Sequence, residues 1–259
     1  MMQIGMVMFI VCFIAALLTI YSGFGLGTIL TPFFCIFFPI EIAIAFTAFV
    51  HLINSIYKAS LTWKNIDMHI VMKFGITSAL FAILGAIVLL QLIDLSAITT
   101  YSLFNRTYTL YYHKIIIGMV LMLFVWIELV QKSIKFPLMH NLYIGGIFSG
   151  FFGGLSGHQG ALRSVYLTQH ITDKNTLIAC SSIIACMVDI SRLGIYSAQI
   201  LTLLRGQQSI VFALIALFGA ILGSSLGLKY LQKITISFIQ KFTIITLIVL
   251  SVLLIFGIV

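Results

Sequence analysis

The chain has 259 residues, of which 61% are apolar and only 8% charged, and its mean hydropathy is +1.20. Soluble domains carry about 25% charged residues to solvate their surface, so a water-soluble enzyme, a disordered chain and a disulfide scaffold are excluded. Lysine and arginine total 14 against 6 aspartates and glutamates, a net charge of +8. These bases are scattered between apolar runs, which reads as loop anchoring at anionic lipid and not as a nucleic-acid surface.

At about 20 residues per crossing the apolar chain divides into about eight spans. No lysine or arginine precedes Lys58, so Met2–Ile20 lacks the basic flank of a secretory signal and is read as the first span. The stretch Ser22 to Pro32 follows it. Gly23, Gly25 and Gly27 weaken a helix there, and Pro32 removes a backbone donor. The apolar run from Met2 to Pro39 is far too long for one crossing at about 1.5 Å per residue. A re-entrant or discontinuous helix is therefore expected, which lipid tolerates only inside protein or beside a wet cavity.

The next spans are Ile40–Tyr57, with His51, Asn54 and Lys58 on one stripe, and His69–Leu92. The stripe is read as packing or helix–helix contact. The loop from Asp94 to His113 carries Tyr101, Phe104, Tyr108, Tyr111 and Tyr112 and reads as an interfacial aromatic belt. Lys114–Val130 and Asn141–Ser156 come next. A second interruption runs from Gly153 to Ser164, and Thr176–Ala198, Ile210–Lys229 and Ser237–Ile258 complete the spans. Glu41, Lys73, Glu128 and Lys241 lie near span ends as interfacial charges. The four cysteines, Cys12, Cys35, Cys180 and Cys186, all fall in apolar segments without a CxxC or Cys/His cluster. No metal site and no cofactor is implied.

The two interruptions correspond: Gly27 aligns with Gly160, Gly25 with His158 and Leu30 with Arg163. Each is followed by a helix with internal polar groups, His51 and Asn54 in one case, Asp189 and Arg192 in the other. This reads as an internal duplication, with a first repeat over 1–131 and a second over 141–259. Four spans in each would leave the repeats in the same orientation, and an odd number would invert them. The expected fold is an all-α polytopic integral membrane protein, about eight transmembrane helices in two similar halves with broken or re-entrant helices. Paired interruptions in matching positions point to a transport site.

Arg163 is the sharpest candidate. It lies just after Gly160, at the expected start of a half-helix whose bare N–H groups and dipole favour an anion, and its fork suits carboxylate, sulfonate or sulfite oxygens. The competing reading is an arginine that snorkels to headgroups or pairs with Asp173. His158 and Gln159 offer donors at the same break, as ligands or as partners for bare helix-end carbonyls, and His158 is also a candidate proton carrier. Asp189 and Arg192, three apart, share a helix face with Ser182, Cys186 and Tyr196. They form an internal salt bridge, or Arg192 reads the anion while Asp189 orients it or takes a proton. The substrate-binding candidates are Gly25, Gly27, Asn54, Gly157, His158, Gln159, Gly160, Arg163 and Arg192, with Asp189 in the proton-coupling or orienting role. Gly154-Leu155-Ser156-Gly157 also matches the GxSG signature of rhomboid intramembrane proteases. That chemistry needs a histidine base on a later helix, and no histidine follows His170, so the chain is not read as an enzyme.

These residues resemble the sulfite exporter TauE/SafE family, also called the 4-toluenesulfonate uptake permease family. The resemblance rests on Gly23 to Gly27 through Pro32, on Gly157 to Ser164, and on the Asp189, Arg192, Tyr196 pattern, and it covers essentially the whole chain. Leu26 departs from it, standing where many relatives carry another glycine. The resemblance implies a multi-pass protein of the cell membrane, the bacterial inner membrane, that moves a small sulfur-containing anion by alternating access with coupling to protons. Its expected partners are that anion, protons and the lipid bilayer, with no nucleic acid, and a homo-oligomer is left open. An anion channel on the same residues and a non-transporting membrane subunit are the alternatives. Basic residues divide almost evenly between alternate loops, so the positive-inside rule assigns no orientation.

Overall fold

The computed structural model describes residues 2–20, 26–103, 106–130, 141–205, 207–230 and 236–258. Every expected span falls on a helix. In chain order these are α1 (Met2–Thr19), α2 (Leu26–Phe34), α3 (Ile40–Thr62), a single turn α4 (Met68–Ile70) that continues through a π-helical turn (Val71–Gly75) into α5 (Ile76–Ile93), and α6 (Tyr112–Val130). Then follow α7 (Leu142–Ser156), α8 (Gln159–Leu167), α9 (Lys174–Ile195), α10 (Ser197–Arg205), α11 (Gln207–Tyr230) and α12 (Ile236–Ile255). The stretches Ile40–Asn65, Met68–Ile93, Lys174–Ile195 and Ile210–Lys229 are each long and apolar enough to cross a membrane. Shorter apolar helices cover Gln3–Thr19, Tyr112–Ile127, Leu142–Ser156 and Ile244–Ile255.

The fold is not purely helical. The tyrosine-rich loop forms an antiparallel hairpin of β1 (Ala97–Leu103) and β2 (Arg106–Tyr111), with Tyr101 opposite Tyr108 and Thr100 opposite Thr109. Alternating threonine and tyrosine suit a pleated surface. Tyr101 and Tyr108 stack at 5.5 Å, and the Tyr101 hydroxyl donates to the Phe256 carbonyl at 2.6 Å. The rings expected to form a belt thus pair across strands and pin the hairpin to the end of α12. Phe104 lies outside the described residues.

Two helix pairs are locked backbone to backbone by glycine stripes. A Cβ on Gly146 would meet Phe74 and Thr77, one on Gly150 would overlap the Ser78 backbone, and one on Gly154 would overlap Ala82. These levels rise together, so α7 runs parallel to α5. Likewise Gly219 meets Phe9, Gly223 meets Phe13, and Gly227 meets Leu17 and Ile20, so α11 runs parallel to α1. Without a hydrophobic drive inside lipid, such close approach is what holds helices together. By contrast α3 and α9 cross antiparallel: His51 lies beside Asp189, while Asp67, beyond the end of α3, donates its N–H to the Cys180 sulfur. Helix α12 meets α6 through Ser251 Oγ, which donates to the Gly118 carbonyl at 2.7 Å.

Helix α8 doubles back along α7. Gly153 faces Gln159, Gly145 faces the Tyr166 ring, and Ser149 Oγ donates to the Gln159 carbonyl at 3.0 Å. Helix α2 packs on α3, where Phe34 stacks on Phe46 at 4.3 Å. Apolar side chains form two clusters. One includes Leu26, Leu30, Phe34, Phe46, Leu155 and Leu162, and the other Ile70, Val71, Phe74, Tyr166, Leu167 and Ile171.

Candidate functional site

The second interruption is made by one residue. Gly157 has φ +83°, a left-handed conformation that a side chain disfavours and glycine does not. It closes α7 by donating its N–H to the Gly153 carbonyl at 3.0 Å. A broken helix leaves its last carbonyls short of backbone donors, and three side chains bond carbonyls of this last turn. Arg192 Nη1 donates to Gly153 O at 3.1 Å, the Tyr196 hydroxyl donates to Gly154 O, and His158 Nδ1 bonds Ser156 O at 2.7 Å. A carbonyl only accepts, so the His158 proton sits on Nδ1 and Nε2, buried and unpartnered, presents a lone pair. The Ser156 hydroxyl turns back to the Phe152 carbonyl at 3.0 Å, away from the imidazole.

Asp189 is the hub of the buried charges. Its Oδ2 receives His51 Nδ1 at 2.6 Å, and its Oδ1 receives Gln159 Nε2 at 3.0 Å and Arg192 Nε at 2.9 Å. Arg192 Nη2 lies 2.7 Å from the same oxygen. Asp189 and Arg192 are fully buried and His51 is 2% exposed. Gln159 then passes the network on, its Oε1 accepting from Arg163 Nη1 at 3.1 Å. One carboxylate therefore ties α3, α8 and α9 together.

Arg163 stands apart from the other cations. It is 4% exposed, so it does not snorkel, and Asp173 is occupied in capping α9 through Thr176. Among the described residues Arg163 forms no ion pair. Its side-chain partner is a neutral amide, and its Nε has none. Lys58, half-buried on α3, lies within electrostatic range of Arg163, Cys186 and Asp189. Three basic side chains, Lys58, Arg163 and Arg192, thus share this region with one acid among the described residues.

The first interruption meets the second here. A Cβ on Gly27 would lie 3.0 Å from the Gly157 carbonyl oxygen, and one on Gly157 would lie 3.2 Å from Thr31 Oγ1 and 3.3 Å from Arg192 Nη1. The N-terminal ends of α2 and α8 therefore face the same region, with Gly160 buried in the first turn of α8. The hydroxyls of Thr28, Thr31, Thr47 and Ser55 and the Nδ2 of Asn54 are all buried without partners. Asn54 Oδ1 accepts from Ser224 at 2.7 Å. Gly25 lies outside the described residues. Of the expected set, the structure gathers Gly27, Gly157, Gln159, Gly160, Arg163, Asp189 and Arg192, and it places Asn54 one turn along α3 from His51.

Sequence reasoning left two features unnamed. The His51 stripe was read as packing or helix–helix contact, and its bond to Asp189 is such a contact, but the partner was not identified, and the threonines on α2 and α3 were not singled out. The available signal was the pair Thr28 and Thr31, three apart on the opening turn of the glycine-rich half-helix.

At the end of the bundle where α7 begins, a polar cavity of ≈ 590 Å³ is lined by Asp67, His69, Lys73, Asn141, Tyr143 and His170 among others. Its floor includes Ile70 and Leu142, members of the apolar cluster that also holds Tyr166 and Leu167, the turn after Arg163.

An apolar helical bundle with a cation-rich network buried where two interrupted helices meet is an integral membrane protein. Residues 8–254 match the family model described as Sulfite exporter TauE/SafE. The chain belongs to that family, a family of membrane transporters. No curated protein and no solved structure matches it.

Proposed function

We propose that the protein is a secondary transporter of a small sulfur-containing anion, sulfite or an organosulfonate, working by alternating access across the bacterial inner membrane. One observation carries this reading: Arg163 is a buried guanidinium with no acidic partner among the described residues. Taking an ion out of water costs several kcal/mol, which is normally offset by a counter-charge, and ionisable groups at membrane depth are normally paired. An anionic solute supplies the missing charge. The planar fork of Arg163 suits two oxygens of one sulfur-centred head group, and the N-terminal turns of α2 and α8 add amide donors.

In this reading Arg163 holds the anion with the Gly157–Gly160 backbone and Gly27 close by. Gln159 and Asp189 are positioning residues, because both oxygens of Asp189 and both ends of the Gln159 amide are already bonded. Arg192 contributes field strength and clasps the end of α7. His158 becomes an anion donor only when Nε2 is protonated. The unpaired Asn54 Nδ2 and threonine hydroxyls are further donors on the α2 and α3 side.

Residues 1–131 and 141–259 then form two inverted repeats. Three features support this: the hairpin made by α7 and α8, the antiparallel crossing of α3 with α9, and the meeting of α2 and α8 at their N-terminal ends. With α7 and α8 turning back, and α1 and α2 read as the corresponding pair, each repeat keeps three crossings, an odd number, and inversion follows. Reconstitution of the purified protein in liposomes tests the function. Saturable, counterflow-competent uptake of sulfite or 4-toluenesulfonate that Arg163→Ala abolishes is the expected result. Large passive conductance would make the protein a channel, and flux unchanged in Arg163→Ala would remove the site.

A further inference from the structure

We infer that His51 is where a proton binds together with the anion, so that anion and proton travel through the protein in the same direction. The inference rests on the anion site proposed above and adds the coupling residue and the sign of the coupling. His51 Nδ1 meets Asp189 Oδ2 at 2.6 Å, with His51 2% and Asp189 0% exposed. A carboxylate oxygen accepts, so the neutral imidazole carries its proton on Nδ1 and an added proton goes to Nε2. The product is an imidazolium–carboxylate pair. This bond joins α3 to α9, the two helices whose antiparallel crossing relates the halves, so its strength bears on how they sit together.

The sign follows from the neighbours. The charged groups facing His51 are Asp189 on α9, Lys58 on its own helix and Arg163 on α8, and the second oxygen of Asp189 is already committed to Arg192 and Gln159. With the site empty, a charge on His51 joins a region where cations outnumber acids. An anion on Arg163 cancels that opposition and favours the imidazolium. Linkage is reciprocal, so a proton on His51 must strengthen anion binding by the same factor. The arginines stay charged throughout this range, and histidine is the side chain here that changes charge near neutrality unaided. An occupied, protonated site and an empty, neutral one are the two favoured states, and cycling between them carries both solutes one way.

The test uses the full chain and two probes: 4-toluenesulfonate, whose charge is constant from pH 5.5 to 8.5, and sulfite at a single pH. The wild-type protein is expected to bind 4-toluenesulfonate on the order of 10- to 100-fold more tightly at the acid end, to take up protons on binding, and to accumulate the probe when the pH gradient is directed inward. His51→Gln, which keeps an amide donor for Asp189, is expected to retain counterflow exchange but lose both the pH dependence and gradient-driven accumulation. His51→Asn provides the same readout if the glutamine variant does not purify as a folded species. PH-independent binding, proton release on binding, or a histidine variant that keeps gradient-driven accumulation would each overturn the inference while leaving the anion site standing. A wild-type protein that binds neither probe would overturn the site itself.

Discussion

Replacing Arg163 by methionine separates a residue kept for the anion from one kept for the fold. In the empty protein this guanidinium is 4% exposed and donates to Gln159 Oε1 at 3.1 Å. Exchanging buried charges for apolar side chains of similar volume often stabilises by about 1–4 kcal/mol. Leaving Gln159 Oε1 unpaired costs about 1–3 kcal/mol. The unliganded variant should therefore melt at or above the wild-type temperature. Binding should suffer in the opposite sense. Two charge-assisted hydrogen bonds to the anion, each about 1.5–3 kcal/mol, correspond to a loss on the order of a hundred-fold or more in affinity. Thermal melts of purified protein across sulfite, 4-toluenesulfonate, sulfate and acetate provide the assay. An anion at 100 times its Kd stabilises the wild type by about 2.7 kcal/mol, and the variant should show no such shift. An Arg163→Met protein that melts well below wild type yet responds normally to the anion would refute the reasoning and make Arg163 a brace.

Three further substitutions follow from the geometry. Gly157→Ala forces a side chain into a left-handed turn and against Thr31, which should cost about 1–2 kcal/mol in a melting experiment. Gly150→Leu places atoms inside the Ser78 backbone and should part α5 from α7, read as loss of the monodisperse species on size exclusion. Asp189→Asn removes the one acid among Lys58, Arg163 and Arg192 and should destabilise the empty protein by about 3–5 kcal/mol. Anion binding should restore more of that stability than it adds to wild type, a difference read from melts with and without sulfite.

The positions of the helices were legible because lipid demands long uninterrupted apolar runs, and the ends of those runs are marked by Lys58, Asp94, Asp173 and their like. The burial of Arg163, Asp189 and Arg192 was legible for the same reason: charged groups have no business in lipid unless they face inward. Who pairs with whom was not legible. His51 and Asp189 lie 138 residues apart in the chain, and no local pattern distinguishes a packing histidine from one that meets a carboxylate. Threonine hydroxyls in apolar helices usually bond back to the preceding turn, so Thr28, Thr31 and Thr47 look ordinary in the sequence, although their buried hydroxyls have no partner among the described residues. The hairpin was misread because tyrosines at an interface and tyrosines in a strand share a composition. Its two-residue alternation from Ala97 to Tyr111 held the clue. The proposed inversion of the halves hangs on whether Gln159–Leu167 continues across or returns, which composition does not decide.

The glycine stripes constrain how such a molecule can open. Helix α1 is zipped to α11, and α7 to α5, so each half has lent a strut to the other. Prising the two halves apart would tear both seams, at the cost of contacts that water cannot replace in lipid. Under the alternating access proposed above, the bodies that swivel are composite, each stitched from both ends of the chain. A transporter cut between residues 131 and 141 and expressed as two pieces should reassemble only when both pieces are present, because neither holds a finished rocker of its own.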